Sequence, residues 1–424
     1  MLSATFLTLN DVSKHVACIM IDGKAYNVEK WMHSHPGGKL VISNMLGKDC
    51  TDAFHAFHGP TTKAMLPAFY MGDVMDAPQP SPIESEFHTL RAQLVDQGFF
   101  QTSPWMYAKR LLKLGCVFAL ALTLSVQYSA WLCLLGAVLM GLFWQQLAFI
   151  GHDAGHASIT GKRLLDLGLG ILLGNALGGV SIGWWKRSHN VHHSQTNSVE
   201  HDPDIQHLPF MAISKKLLSP FYSTYHQKMI HVTRASQFFV KWQHYMYYIV
   251  MMFARWNLYV QSVKHMLYCP EAIPFYPLEL SSLCAFYVWQ IYLLSHMPSL
   301  AQALLWLLVS NAACGILHVQ ITLSHFALEA HTEDSTNWIS AQLDTCMNID
   351  CSPGMDWFHG GLQFQIEHHL FPRIPSYKLR DVRDRVKAFA SKWELPYHET
   401  GFIDANRRVL HVLKQVSHCS DVQS

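Results

Sequence analysis

LGCVFALALTLSVQYSAWLCLLGAVLMGLFWQQLAFIGHDAGH, residues 114–156, runs for 38 positions without Asp, Glu, Lys or Arg and then ends in two histidines spaced i, i+4. As a single helix, 38 residues extend about 57 Å, nearly two crossings of a ~30 Å hydrocarbon core. A hairpin of two spans, about 111–128 and 131–151, with its turn near Gln127–Trp131, accounts for the run better than one very long helix. A second uncharged run, Leu280–Leu328, is interrupted at Met297-Pro298-Ser299 and divides into spans of about 281–297 and 301–324. Neither turn carries a basic residue. Lys109, Arg110 and Lys113 precede the first span, Lys162 and Arg163 follow the second, and Arg373, Lys378 and Arg380 lie beyond the fourth. The positive-inside rule then places both termini and the long middle segment in the cytosol.

Composition points the same way. Of 424 residues, 50% are hydrophobic and only 14% charged, against roughly a quarter charged in soluble domains. A formal net charge of +1 gives no general attraction to polyanions, so no nucleic-acid partner is expected. The start, MLSATFLTL, lacks a basic n-region, so no secretory signal is expected. Ten scattered cysteines without a CxxC read as reduced thiols. Two apolar stretches are irregular. Leu164–Trp185 contains six glycines and reads as a re-entrant or interfacial piece, in which Gly178 and Gly179 could let an acyl chain approach closely. Tyr245–Val263, which includes Arg255, suits either a helix in the headgroup region or packing against the other helices.

Residues 1–75 are soluble in character, and Asp76-Ala-Pro-Gln-Pro-Ser-Pro82 opens a Pro-containing linker, 76–104, before the membrane part, 105–424. Within the first unit, His35-Pro36-Gly37-Gly38 is followed 23 residues later by His58 in TDAFHAFH. Two neutral imidazoles can fill both axial positions of a haem iron, which leaves no open site for oxygen and favours electron transfer. Pro36 and the two glycines turn the chain sharply beside the porphyrin. Together with Trp31, this pattern resembles the cytochrome b5 family over about residues 8–75. The resemblance implies an α+β domain with haem b held by His35 and His58; His55 is the rival for the second position.

Three histidine clusters adjoin the predicted spans: His152-Asp-Ala-Gly-His156, His189-Asn-Val-His192-His193 and Gln365-Ile-Glu-His368-His369. On a helix, positions i, i+3 and i+4 share a face, so each cluster offers two or three ring nitrogens in one direction. A lone histidine is most simply solvated or hydrogen-bonded, which is the reading for His201, His207, His226, His231 and His244. Clusters on one membrane face fit that reading poorly, and imidazole suits iron, copper, nickel and zinc. Eight or so nitrogens are too many for one tetrahedral zinc and suit a pair of six-coordinate irons. Asp153 and Glu367, off the histidine face, are expected to accept from ring N–H groups.

HDAGH, HNVHH and QIEHH behind a cytochrome b5-like unit resemble the membrane front-end desaturases, a likeness that extends to Trp184-Trp185-Lys186 and Phe358–Phe364. It implies an all-α membrane domain of four transmembrane helices with a cytosolic histidine-rich cap. His152, His156, His189, His192, His193, His368 and His369 match iron ligands, His325 matches a further one, and His318 is a weaker candidate. Gln365, in place of a leading histidine, is diagnostic of that group, and whether it ligates iron is open. The resemblance also implies a di-iron centre, O2 as co-substrate, electrons from NADH through cytochrome b5 reductase, and residence in the endoplasmic reticulum. The Glu200–Ser214 segment looks most like sphingolipid Δ8 desaturases, which act on the long-chain base of a ceramide. Fatty-acyl Δ5/Δ6 enzymes acting on acyl lipids are the alternative, and a b5-fused lipid hydroxylase is a further one. A membrane electron carrier or metal transporter would not need three clusters on one face.

Overall fold

The computed structural model describes residues 6–15, 17–332 and 337–419. In the N-terminal unit, the strands Cys18–Ile21 and Lys24–Asn27 are joined by Asp22 and Gly23, both at positive φ (51° and 69°). That conformation is the two-residue turn whose twist matches antiparallel strands. The sheet runs in the order Phe6–Leu7, Tyr70–Val74, Lys24–Asn27, Cys18–Ile21, with the first pair parallel and the others antiparallel. Helices Lys39–Ser43 and Thr51–Phe57 stand beside it, so that His35 and His58 leave neighbouring helix ends. The expected α+β unit is what forms.

The presumed linker is not extended throughout. Ser81 caps a helix, Pro82–Asp96, by exchanging hydrogen bonds with Glu84 (3.2 and 2.7 Å). Phe87, Leu90 and Leu94 on its inner face are buried against a cluster that includes Leu343, Phe371 and Val386. The helical signal was there in SPIE, but the prolines before it dominate a reading by composition.

Helices Pro104–Ser125, Ala130–Gly155, Tyr276–Ser295 and Leu300–Leu323 occupy the expected hairpins, with turns at 126–129 and 296–299. Among the described residues, three of these are long and apolar enough to cross a membrane: Ala130–Gly155, Tyr276–Ser295 and Leu300–Leu323. Pro104–Ser125 falls short of that because Lys109, Arg110 and Lys113 occupy its first half. Its uncharged remainder, Leu114–Ser125, is about 18 Å long. Small residues let the helices approach closely: a Cβ at Gly136 would meet Ser125 at 2.7 Å, and one at Gly141 would meet Ala313 at 2.6 Å.

The glycine-rich stretch becomes two helices, Arg163–Leu177 and Ile182–Ser194, bent by 113°. Asn175 accepts from Ile182 N (3.0 Å), and Glu279 accepts from Ser181 Oγ (2.9 Å) and Gly183 N (3.1 Å), so the freed backbone groups at the bend are satisfied. Gly179 makes no room for an acyl chain there. A Cβ on it would lie 2.3 Å from the ring of Phe286, so packing explains this glycine. Tyr245–Val263 forms the middle of a 35-residue helix, Arg234–Tyr268. Arg255 is 3% exposed; its guanidinium sits 4.3 Å from the Trp144 ring centroid and donates to Gly178 O at 2.6 Å. Packing, rather than a seat among headgroups, accounts for this charged residue.

Candidate metal centre and haem site

The first histidine cluster lies at the end of Ala130–Gly155, the second in Ile182–Ser194 and the third in the short helix Gln365–Leu370. His152 and His156 share one face, whereas the second and third clusters are split: His189, His193 and His368 turn to one side, and His192 and His369 to the other. Two groups result, with the ligating atoms of each within 4.8 Å of one another: His152, His156, His189, His193 and His368; and His192, His325 and His369. The groups abut, His193 stacking on His369 at 4.1 Å.

In the larger group, His189 Nε2 lies 3.1 Å from His152 Nε2, 3.0 Å from His156 Nε2 and 3.0 Å from His193 Nε2, and His368 Nε2 lies 3.0 Å from His193 Nε2. An imidazole Nε2 carries at most one proton, so three such contacts cannot all be hydrogen bonds. Nitrogens bonded to a common metal at about 2.1 Å with right angles between them would sit about 3.0 Å apart. Tetrahedral angles would spread them to about 3.4 Å. The spacing fits a cation of five or six coordination.

The smaller group is prepared differently. His192 Nδ1 bonds Asp202 (2.9 Å), His325 Nδ1 bonds Thr345 O (3.0 Å) and His369 Nδ1 bonds Gln342 Oε1 (2.9 Å). Each Nδ1 is thus engaged, which leaves Nε2 as the ring atom that can face a metal. His369 Nε2 is buried without a partner. Burial alone would lower the pKa of His192, but the charges of Asp202 and Asp204 outweigh it and raise it to about 9, so this ring gives up its Nε2 proton only when a cation takes its place. His193, His368 and His369 shift the other way, because burial and the neighbouring imidazoles disfavour the cation.

Two expected carboxylate partners do otherwise. Glu367 accepts from Asn348 (2.8 Å) and Tyr397 (2.7 Å), not from an imidazole. Asp153 accepts from Tyr107 and Ser376, both at 2.6 Å, and its other oxygen stays 3.6 Å from His152 Nδ1. The carboxylate that does hold a cluster histidine is Asp202, which the sequence reading grouped with the substrate pattern. Its signal was the HDPD run just past the second cluster. Gln365 acts on the His325 ring, whereas His318 is buried outside both groups, neither ring nitrogen partnered among the described residues.

In the N-terminal unit, the rings of His35 and His58 face each other with centroids 6.0 Å apart. His35 Nδ1 bonds Gly38 O (3.1 Å) and His58 Nδ1 bonds Phe54 O (3.0 Å), which again reserves both Nε2 atoms. A Cβ on Gly37 would strike the His35 ring at 2.8 Å. Burial lowers both pKa values, His58 to about 4, so both rings are neutral at pH 7, as axial ligation demands. This slot fits a haem. His55 turns away to Asp22 (2.9 Å).

The slot opens onto the histidine groups. Asn190, inside the second cluster, donates to Gly37 O (3.2 Å), Gln195 reaches Met45 Sδ (3.6 Å), and the Phe57 ring stands edge-on to His193 at 5.8 Å. A bis-imidazole haem slot seated on a buried polyhistidine centre at the ends of membrane helices defines a membrane-bound redox metalloenzyme. The chain belongs to the fatty acid desaturase family, whose model matches residues 129–401, and residues 8–75 match the cytochrome b5-like heme/steroid binding domain. It is 37% identical to a Delta(8)-fatty-acid desaturase of Helianthus annuus over 96% of this chain and 91% of the relative. It is 36% identical to an acyl-lipid (9-3)-desaturase of Borago officinalis (94% and 90%) and 32% to a Delta 8-(E)-sphingolipid desaturase of Komagataella phaffii (95% and 91%).

Proposed function

We propose that this protein is a front-end desaturase that places a double bond at Δ8 of a sphingolipid long-chain base. The observation that carries the reading is the pairing of two adjoining histidine groups with a haem slot docked directly on them. An unactivated methylene offers no proton to titrate and no carbonyl to polarise, so its dehydrogenation needs the oxidising power that iron derives from O2. Each double bond consumes one O2, two electrons and two protons and releases two waters. In this reading His152, His156, His189, His193 and His368 hold one iron, and His192, His325 and His369 the other. Gln365, beside His325, shapes the smaller group rather than ligating. Asp202 fixes the tautomer of His192. His35 and His58, both committed to one haem, confine the N-terminal unit to electron transfer; NADH supplies the electrons through cytochrome b5 reductase.

The accompanying organisation is a haem domain over 1–75, a connecting segment over 76–104 and a membrane domain over 105–424. It has four spans, Pro104–Ser125 among them with its basic residues extended to the interface. Both termini and the metal centre face the cytosol at the endoplasmic reticulum. The acyl-lipid relative from Borago favours a second reading, desaturation of a fatty-acyl lipid. Expression in a host without Δ8 desaturation, with long-chain bases and fatty acids analysed separately, decides between them. Δ8-unsaturated long-chain bases are expected, and they should vanish in His192→Ala. Unsaturation confined to the fatty acids would overturn the sphingolipid reading.

A further inference from the structure

The mouth of the haem slot is lined by cations that the membrane domain supplies. Arg373, four residues past His369, presses its guanidinium on Gly59, next to His58: a Cβ at Gly59 would lie 2.6 Å from one of its nitrogens. Lys186, one helical turn before His189, and Arg163 are the leading charges acting on His35, and Arg373 is the one cation prominent at His58. Arg187 packs against Gly38 at 3.9 Å. Arg373 and Lys186 are both half-buried, and neither has a hydrogen bond or ion pair among the described residues. Partly desolvated charges without a bonded partner are costly; Glu279 and Asp166 act on Lys186 from beyond contact, and Arg373 reaches the slot that fits a macrocycle bearing two carboxylates.

We propose that Arg373 and Lys186 pair with the two propionate carboxylates of the haem, so that the N-terminal unit supplies the axial ligands and the membrane domain the counter-ions. The inference rests on the haem reading of His35 and His58.

The test uses the full chain in detergent, as wild type, Arg373→Gln, Lys186→Gln and Arg373→Lys, each loaded with haem or with haem dimethyl ester. Transfer of haem to excess apomyoglobin and the midpoint potential by optical titration are the readouts. Arg373→Gln and Lys186→Gln should each release haem about tenfold faster, the equivalent of one charge-assisted hydrogen bond. Their potentials should fall, because an uncompensated carboxylate favours ferric iron. Arg373→Lys should stay close to wild type, and the esterified haem should leave wild type and Arg373→Gln at the same rate. Unchanged release in the Gln variants would overturn the proposal, as would equal damage in Arg373→Gln and Arg373→Lys. So would variants that keep haem normally but lose binding to vesicles containing anionic phospholipid, which would assign the cations to a lipid phosphate. Purified wild type lacking a haem absorption band would instead defeat the haem reading itself, and the clamp with it.

Discussion

Between His152 and His156 the chain carries Gly155, and a Cβ there would lie 2.0 Å from the ring of Trp185, which stacks on His189 at 4.3 Å. One methyl group at this position would push the indole off the imidazole it orients. Gly155→Ala is therefore expected to cost at least tenfold in bound metal, measured by elemental analysis, while membrane insertion persists. Asp202→Asn should weaken metal retention about 10- to 100-fold, since it removes the partner that fixes the His192 tautomer; a chelator titration reads this directly. The histidines were legible in sequence because i, i+3 and i+4 spacing is a local property of a helix. Asp202 was not, because its approach depends on how the chain after Ser194 folds back, and neither was the diversion of Glu367 to Asn348 and Tyr397 from other elements.

Elements bring their own tests. Gly179 has φ +71° besides its contact with Phe286, so Gly179→Ala should destabilise the protein by about 2–4 kcal/mol through strain and overpacking. A lowered Tm in detergent would show it; an unchanged Tm would mean that Phe286 can step aside. Helix Pro82–Asp96 bonds the N-terminal unit through His88–Asp52 (2.6 Å) and Arg91–His55 O (2.8 Å). Donating to the Asp52 carboxylate raises the pKa of His88, with the charges of Glu84 and Asp22 adding to it. A raised histidine stabilises fully below its unfolded pKa of about 6.5 and loses that contribution as pH climbs through the folded value. Proteolysis at residues 76–80 should accordingly be slower at pH 6 than at pH 9, and His88→Gln should flatten the difference. The membrane hairpins could be read from uncharged runs, whereas the burial of Arg255 could not, since its ring partner Trp144 belongs to another helix.

At the scale of the whole molecule, the two redox sites are held together by contacts as well as by the connecting chain. Inserting ten Gly/Ser residues between Gln79 and Pro80 should leave the rate of haem-to-metal electron transfer within about twofold of wild type in stopped-flow measurements, because loop closure varies slowly with length. A collapse of that rate would show that the tether, not the docking, sets the geometry. The same docking has a consequence for gas supply. With Phe57 standing over His193 and Gly37 bonded to Asn190, the N-terminal unit covers this face of the histidine groups. If the histidine groups hold iron as proposed, dioxygen, which dissolves better in hydrocarbon than in water, is expected to enter sideways from the lipid, and the surrounding bilayer would serve as the oxidant's reservoir.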